Sequence, residues 1–211
     1  MTHLSPRARR LRHCGFSLLE AIVAVAIFAM LSATVLFNYN NFNSRLGLEQ
    51  QAHEVANWIR TAQAYALGVR GETASGAVFP AYGVHLERDL PDRVIFFADL
   101  DSDGEYDDDG TCGAVGTECK EIVKLKNGAQ LSKLCGEIPG VTASSPDCGT
   151  YDNAEFIDIV FTRPNPDAAI KGDPGSGGGD SDYSEAIATF RSLKGYERSV
   201  DVWTTGQISI R

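Results

Sequence analysis

Seven acids fall within the eleven residues from Asp99 to Asp109: Asp99, Asp101, Asp103, Glu105, Asp107, Asp108 and Asp109. Carboxylates at alternate positions of a tight loop offer hard oxygens to a common centre, and Ca²⁺ takes six to eight such oxygens in a flexible cage. Asp99, Asp101 and Asp103 stand at positions one, three and five of a calcium-type loop, Gly104 supplies the turn at six, and Asp107 falls at nine. Position twelve, which needs a bidentate acid, is Gly110, so Asp108 or Asp109 must replace it, with a backbone oxygen from Glu105. A strand pattern precedes the loop, so the motif is not an EF-hand. Without a cation the acids repel one another. The expectation is a structural Ca²⁺ held by Asp99, Asp101, Asp103, Glu105, Asp107 and Asp109. The plain alternative is a solvated acidic turn.

A second acid draws notice by its isolation. From Phe16 to Phe37 every residue is apolar or small and weakly polar except Glu20. A run of about 20 such residues is long enough to cross a bilayer. A carboxylate inside it costs roughly 2.5–3.5 kcal/mol if central and less near an end. Nothing nearby in the sequence offers Glu20 a partner, which points to a charge on another molecule. Arg7, Arg9, Arg10 and Arg12 precede the run and place the N-terminus in the cytoplasm by the positive-inside rule. A cleaved secretory signal does not fit, because the apolar core continues into a helical pattern instead of a small-x-small site. A lipoprotein signal does not fit either, since Cys14 precedes the run. Arg9-Arg10 alone is thin support for twin-arginine export. A plain signal anchor accounts for the arginines and the apolar run, but leaves Gly15 and Glu20 without a reason.

Gly15-Phe16-Ser17-Leu18-Leu19-Glu20 resembles the prepilin leader of type IV pilins and type II secretion pseudopilins. The resemblance implies cleavage by a prepilin peptidase between Gly15 and Phe16, and N-methylation of Phe16. It also implies a role for Glu20 in neutralising the positive N-terminus of a neighbouring subunit inside a filament. Ser17 stands where many members carry threonine. Opposite charges attract strongly where the dielectric is low, and an unpaired one is penalised there. Removal of residues 1–15 would take four arginines and no acids, leaving 15 basic against 28 acidic side chains and a side-chain charge of −13. Such a surface repels nucleic acid and suits divalent cations or basic partners.

Cys14 would leave with that leader; Cys112, Cys119, Cys135 and Cys148 remain. An even number in an exported domain implies two disulfides, and four cysteines allow three pairings. Cys112–Cys119 with Cys135–Cys148 is the expected set, because each bond closes a local loop. Zinc is the minor alternative, since Cys-x2-Cys knuckles are missing.

These groups must be carried on a long helix and a set of strands. Leu48, Ala52, Val55, Ile59, Ala62, Ala66 and Val69 recur at alternating four- and three-residue steps, one apolar stripe on a helix. Residues 38–70 therefore read as an amphipathic continuation of the 16–37 membrane helix, roughly 80 Å in all at 1.5 Å per residue. The Asn-rich stretch from Asn38 to Asn43, followed by Gly47, is a poor helix former and reads as a joint or a polar collar. From residue 71 the pattern turns to strand: Tyr82–Leu86, Arg93–Ala98, Glu121–Leu125, Gln130–Leu134, Glu155–Thr162 and Ala186–Arg191. Val200–Thr204, a Thr205-Gly206 turn and Gln207–Ile210 close the chain as a hairpin. The Arg163-Pro164-Asn165-Pro166 segment ends a strand, and the Gly-rich stretch 172–182 reads as a surface loop without a phosphate-binding pattern.

One long helix followed by antiparallel strands is an α+β layout. The expected chain has a leader (1–15), a membrane or filament-core helix (16–37), its continuation (38–70) and a β-rich ectodomain (71–211) outside the cytoplasm. The order of elements, the Tyr-Gly-Val strand and the final "VDVWTTGQISI" resemble the GspH/FimT branch of minor pseudopilins. That implies a non-enzymatic filament subunit at the inner membrane whose partners are the peptidase and other pilin-like subunits. Two alternatives belong to other classes: a DNA-binding minor pilin, disfavoured by the charge, and a calcium-binding ectodomain that never polymerises. No histidine among His3, His13, His53 and His85 sits in a recognisable catalytic motif.

Overall fold

The computed structural model describes residues 16–68, 79–107, 111–140, 145, 147–174 and 180–211. The leader with Gly15, the stripe residue Val69, and Asp108, Asp109 and Gly110 of the acidic run lie outside the described residues. Among the described residues, one helix, α1 (Leu18–Leu67), is followed by eleven strands. These are β1 (Ala81–Glu87), β2 (Arg93–Asp99), β3 (Cys119–Lys124), β4 (Gln130–Glu137), β5 (Asp152–Asn153), β6 (Phe156–Phe161), β7 (Ala168–Asp173), β8 (Ser181–Asp182), β9 (Glu185–Arg191), β10 (Glu197–Trp203) and β11 (Ile208–Ile210). The chain divides into two compact units, residues 1–40 and 41–211.

In the first unit α1 carries its apolar side chains exposed, among them Leu18, Ile22, Phe28 and Leu36. Such a surface is unstable in water and needs lipid or protein around it. Ser17 precedes the first helical residue, and its Oγ accepts the Glu20 backbone N–H at 3.2 Å, an N-cap that satisfies one of the orphan donors of the first turn.

In the second unit the stripe behaves as its period requires. Leu48, Ala52, Val55, Ile59, Ala62 and Ala66 are all buried, with Ala56 beside them. The helix runs on through the Asn-rich stretch and Gly47 up to Leu67, despite the weak local propensity. Trp58 lies 5.4 Å from Phe96, and Tyr65 meets Tyr82 edge-on at 5.6 Å. All strand pairs are antiparallel, and they divide between two sheets of order β3-β2-β1-β6-β7-β8 and β11-β10-β9-β4-β5. Tyr82, Val84 and Leu86 of β1, Ile157 and Ile159 of β6, and Ala186, Ala188 and Phe190 of β9 share one core with the helix.

The terminal hairpin is present as β10–β11, with Val200 opposite Ile210 and Val202 opposite Ile208. Three strands go beyond the sequence pattern: β5, β7 and β8. The ends of the stretch 172–182 are paired, Gly172 with Ser181 and Lys171 with Asp182, while residues 175–179 of the expected surface loop lie outside the described residues. Gly172 serves packing here. A Cβ on it would meet the Phe156 carbonyl at 2.2 Å and the Tyr183 ring at 3.0 Å, and one on Gly136 of the other sheet would meet that ring at 2.3 Å. The two glycines thus make room for a tyrosine wedged between the sheets. The proline segment is not free either: Gln63 Nε2 of α1 donates to the Pro166 carbonyl at 2.9 Å.

Both local disulfides are formed, Cys112–Cys119 and Cys135–Cys148, across seven and thirteen residues. The second ties β4 to the turn that precedes β5. Loop-closure entropy assigns such a loop about 3 kcal/mol. A Cys135→Ser/Cys148→Ser chain should melt roughly 6–12 °C lower, since 1 kcal/mol moves a domain of this size by about 2–4 °C. Equal melting temperatures for the oxidised parent and this variant would show that the bond adds nothing.

Candidate functional site

The strands of the six-stranded sheet alternate, so residues between the core positions face away from the helix. On that outer face lie His85 of β1, Phe97 of β2, and Asp158 and Val160 of β6. Asp158 is 1% exposed, an acid inside the otherwise apolar strand Phe-Ile-Asp-Ile-Val-Phe. Its Oδ1 is 2.8 Å from His85 Nδ1, and its Oδ2 accepts the Tyr106 backbone N–H at 3.3 Å. Tyr106 covers the pair, with ring centroids 4.9 Å from His85 and 5.4 Å from Phe97. The acidic loop is therefore folded over the sheet and pinned through its backbone to a buried ion pair. Burial alone would lower the His85 pKa. The Asp158 hydrogen bond and charge, with Glu87 beyond, outweigh burial and raise it above 6.5.

Within the loop, Asp99, Asp101 and Asp103 each direct one oxygen so that the three lie within 4.8 Å of one another. Their backbone geometry follows from local hydrogen bonding. The two Asp99 oxygens accept from the N–H groups of Ser102 (2.6 Å) and Gly104 (3.1 Å). Asp101 accepts from Asp103 N at 3.3 Å and Asp103 from Glu105 N at 2.9 Å. Ser102 and Gly104 adopt positive φ, 68° and 83°, a strained choice for serine that the Asp99 bond fixes.

Glu105 turns elsewhere: its Oε1 is 3.2 Å from Lys171 Nζ, which also donates to the Asp103 carbonyl at 2.5 Å. Lys171 stands on β7, so an ammonium from a distant strand already neutralises part of the loop. Asp107 contributes its backbone N–H to Glu118 at 2.9 Å.

Glu118 was not among the residues expected here. It is 4% exposed, and its two oxygens accept from Leu100 N (2.8 Å) and Asp107 N (2.9 Å), closing both ends of the loop. It sits just before Cys119, whose disulfide to Cys112 shortens the path back to the loop. The sequence showed an acid beside a cysteine, with no spacing rule to connect it to Asp99. His85 and Asp158 left a clearer trace: each is a polar residue in an apolar strand, and β1 and β6 place them opposite each other.

Burial raises the Asp99 pKa, with backbone hydrogen bonds pulling against it and Asp103 and Asp101 adding repulsion. Glu118 is raised by burial in the same way, with Asp99 and Asp101 as its like-charge neighbours. A carboxyl raised by folding is one that the fold prefers protonated. Its stabilising effect is present below the ordinary carboxylate range and is lost as pH rises through the raised value. A divalent cation would reverse that loss. The donor set (carboxylates from Asp99, Asp101 and Asp103, with Glu118 adjacent) is all oxygen and suits a hard ion such as Ca²⁺.

At the N-terminal end, the described residues begin at Phe16, which is exposed, and Glu20 is an exposed acid in the first turn of α1. Gly15 lies outside them. The helix is long and apolar enough to cross a membrane. Residues 10–36 match the family model described as the prokaryotic N-terminal methylation motif. The match spans the Gly15–Phe16 junction and Glu20, and it supports a type IV pilin-like prepilin, a substrate of a prepilin peptidase that assembles with other pilin-like subunits. No curated protein and no solved structure matches the chain.

Proposed function

We propose that this chain is a minor pseudopilin of the GspH/FimT type, inserted through its N-terminal helix into a type II secretion pseudopilus or a related type IV pilus-like filament. The observation that carries this reading is the methylation motif over residues 10–36, joined to an exposed apolar helix that leads into a separate β-rich unit. Hydrolysis of the Gly15–Phe16 peptide bond leaves a Gly15 carboxylate on the leader and frees an amine at Phe16. The peptidase then methylates that amine from an electrophilic methyl donor, the donor's bond to the methyl group breaking as the amine nitrogen takes it and loses a proton. The apolar run leaves the bilayer and packs among neighbouring helices, where Glu20 meets the Phe16 ammonium of an adjacent subunit. The intact mass of the protein from membranes containing an active prepilin peptidase tests the first step. A chain that begins at N-methylated Phe16 is expected; one that still begins at residue 1 or 2, beside a processed control, sinks the reading.

In this function the acidic loop is a structural Ca²⁺ site. Asp99, Asp101 and Asp103 hold the ion, and Glu118 supplies the acid that position twelve of the loop lacks. The ion locks the loop over the outer sheet face wherever calcium is plentiful. At a hundred times its dissociation constant, Ca²⁺ adds about 2.7 kcal/mol, a rise in melting temperature of roughly 5–11 °C. The gain should be largest at neutral pH, vanish in acid, and be lost in Asp101→Asn/Asp103→Asn. Identical melting curves in Ca²⁺ and in chelator at neutral pH would leave the loop a solvated turn.

A further inference from the structure

The overall charge is strongly negative, yet three cations gather where α1 enters the second unit. Lys194 Nζ donates to Asn41 Oδ1 at 2.9 Å, and the Arg45 guanidinium lies 4.3 Å above the Tyr196 ring. Arg198 borders the same small cavity of about 210 Å³ as Arg45 and Tyr196. None of the three makes an ion pair among the described residues. Glu197 also borders that cavity, but its carboxylate is taken by Arg191 at 2.5 Å and faces Lys133 at 4.0 Å, while Glu54 pairs with Lys126 at 3.0 Å.

A second observation is independent of charge. Leu193, at the tip of the β9–β10 turn and next to Lys194, is 83% exposed. The Asn127-Gly128 turn abuts it, and a Cβ on Gly128 would come within 2.7 Å of its side chain. An exposed leucine flanked by a tyrosine and by cations that make no ion pair among the described residues is the composition of a surface that sits at a bilayer interface.

We propose that this turn, with Arg45 and Arg198, is a foot that binds anionic phospholipid headgroups. Leu193 dips toward the acyl boundary, and Lys194, Arg45 and Arg198 receive the phosphates. The proposal rests on the reading of residues 16–37 as a membrane span. Asn41 follows Phe37 by four residues, so at most about 14 Å of chain separates the end of the apolar run from the residue that Lys194 grips. The polar headgroup layer adds about 5–8 Å on each side of the hydrocarbon core, so the foot is within reach of it. The net charge of −9 repels an anionic surface as a whole. Screening over about 8 Å at physiological salt lets the local cluster govern this end instead. A basic groove for DNA would give an exposed leucine no role, which favours lipid over nucleic acid. Before assembly, the foot would hold the subunit against the bilayer, and extraction would have to break it.

The test uses the full chain in a Cys14→Ser background, with Leu193→Cys carrying an environment-sensitive fluorophore. It is reconstituted into nanodiscs of phosphatidylcholine with or without phosphatidylglycerol. The expected result is blue-shifted emission, quenched by headgroup spin label, in the anionic discs alone. High salt should abolish it. Each single charge reversal (Arg45→Glu, Lys194→Glu or Arg198→Glu) should weaken the docked population at least about fivefold. A label that stays in water in both discs overturns the foot and leaves the membrane span intact. Burial that appears only when DNA or another pilin-like subunit is added overturns it in favour of that partner. A chain that enters neither disc overturns the span and the foot together.

Discussion

A Glu20→Gln chain should be cut after Gly15 as efficiently as the parent and yet fail to enter filaments. Glu20 has two physical roles open to it, and this substitution separates them. Ser17 Oγ accepts the Glu20 backbone N–H, and Ser-x-x-Glu is a capping box in which glutamine serves nearly as well as glutamate. An acid in the first turn also gains about 0.3–1 kcal/mol from the helix dipole. If capping were the whole role, Gln would be tolerated and Ala would cost about 1 kcal/mol. In a filament, removing the carboxylate leaves the Phe16 ammonium of the adjacent subunit buried without a partner, a loss on the order of 3–5 kcal/mol per contact. Both Gln and Ala should then reduce incorporation at least a hundredfold, read as the ratio of filament to membrane protein in a shear fraction. Normal incorporation of Glu20→Gln would reduce Glu20 to a cap.

The second large effect belongs to the outer sheet face. Asp158→Ala should cost about 3–5 kcal/mol at pH 6, because it strands a buried His85 and the Tyr106 N–H at once. Its size depends on pH with a definite sign. The folded pKa of His85 is raised above 6.5, so the pair's contribution is full below 6.5 and is lost as pH rises through the folded value. The difference in stability between the parent and Asp158→Ala should therefore shrink from pH 6 to pH 9. Asp158→Asn, which keeps an acceptor for a neutral imidazole, should cost less and give a flatter difference. Chemical denaturation at several pH values measures all three. A difference that stays constant across that range would mean His85 carries no extra proton in the fold. The same variants loosen the loop above the pair, so calcium-induced stabilisation should weaken with them.

These effects arise from two kinds of information. Patterns of short range determined the helix and most strands. The apolar run and the four-and-three stripe are periodic, burial follows period, and Leu48 through Ala66 are buried accordingly. The local disulfides and the converging Asp99, Asp101 and Asp103 are also short-range, since each involves neighbours in the chain. The prepilin-like motif is a contiguous stretch, and the family model matches it alone.

What the sequence left open is every relation between distant segments. Glu118 closes the loop from eighteen residues beyond Leu100, and Lys171 reaches Glu105 from sixty-six residues away. His85 finds Asp158 across seventy-three. Ala168–Asp173 has weak alternation, and it becomes a strand because β6 offers it a partner and Tyr183 fits over Gly172. The split into two sheets, and the gathering of Arg45, Lys194 and Arg198 at one end, depend on the same long-range pairing. A side chain's period is written along the chain, but its partner is chosen by sheet register, and register is an energy of the whole domain. The sequence alone therefore determined the N-terminal methylation motif, the helix and the acidic loop, while only the tertiary structure decided which charges meet.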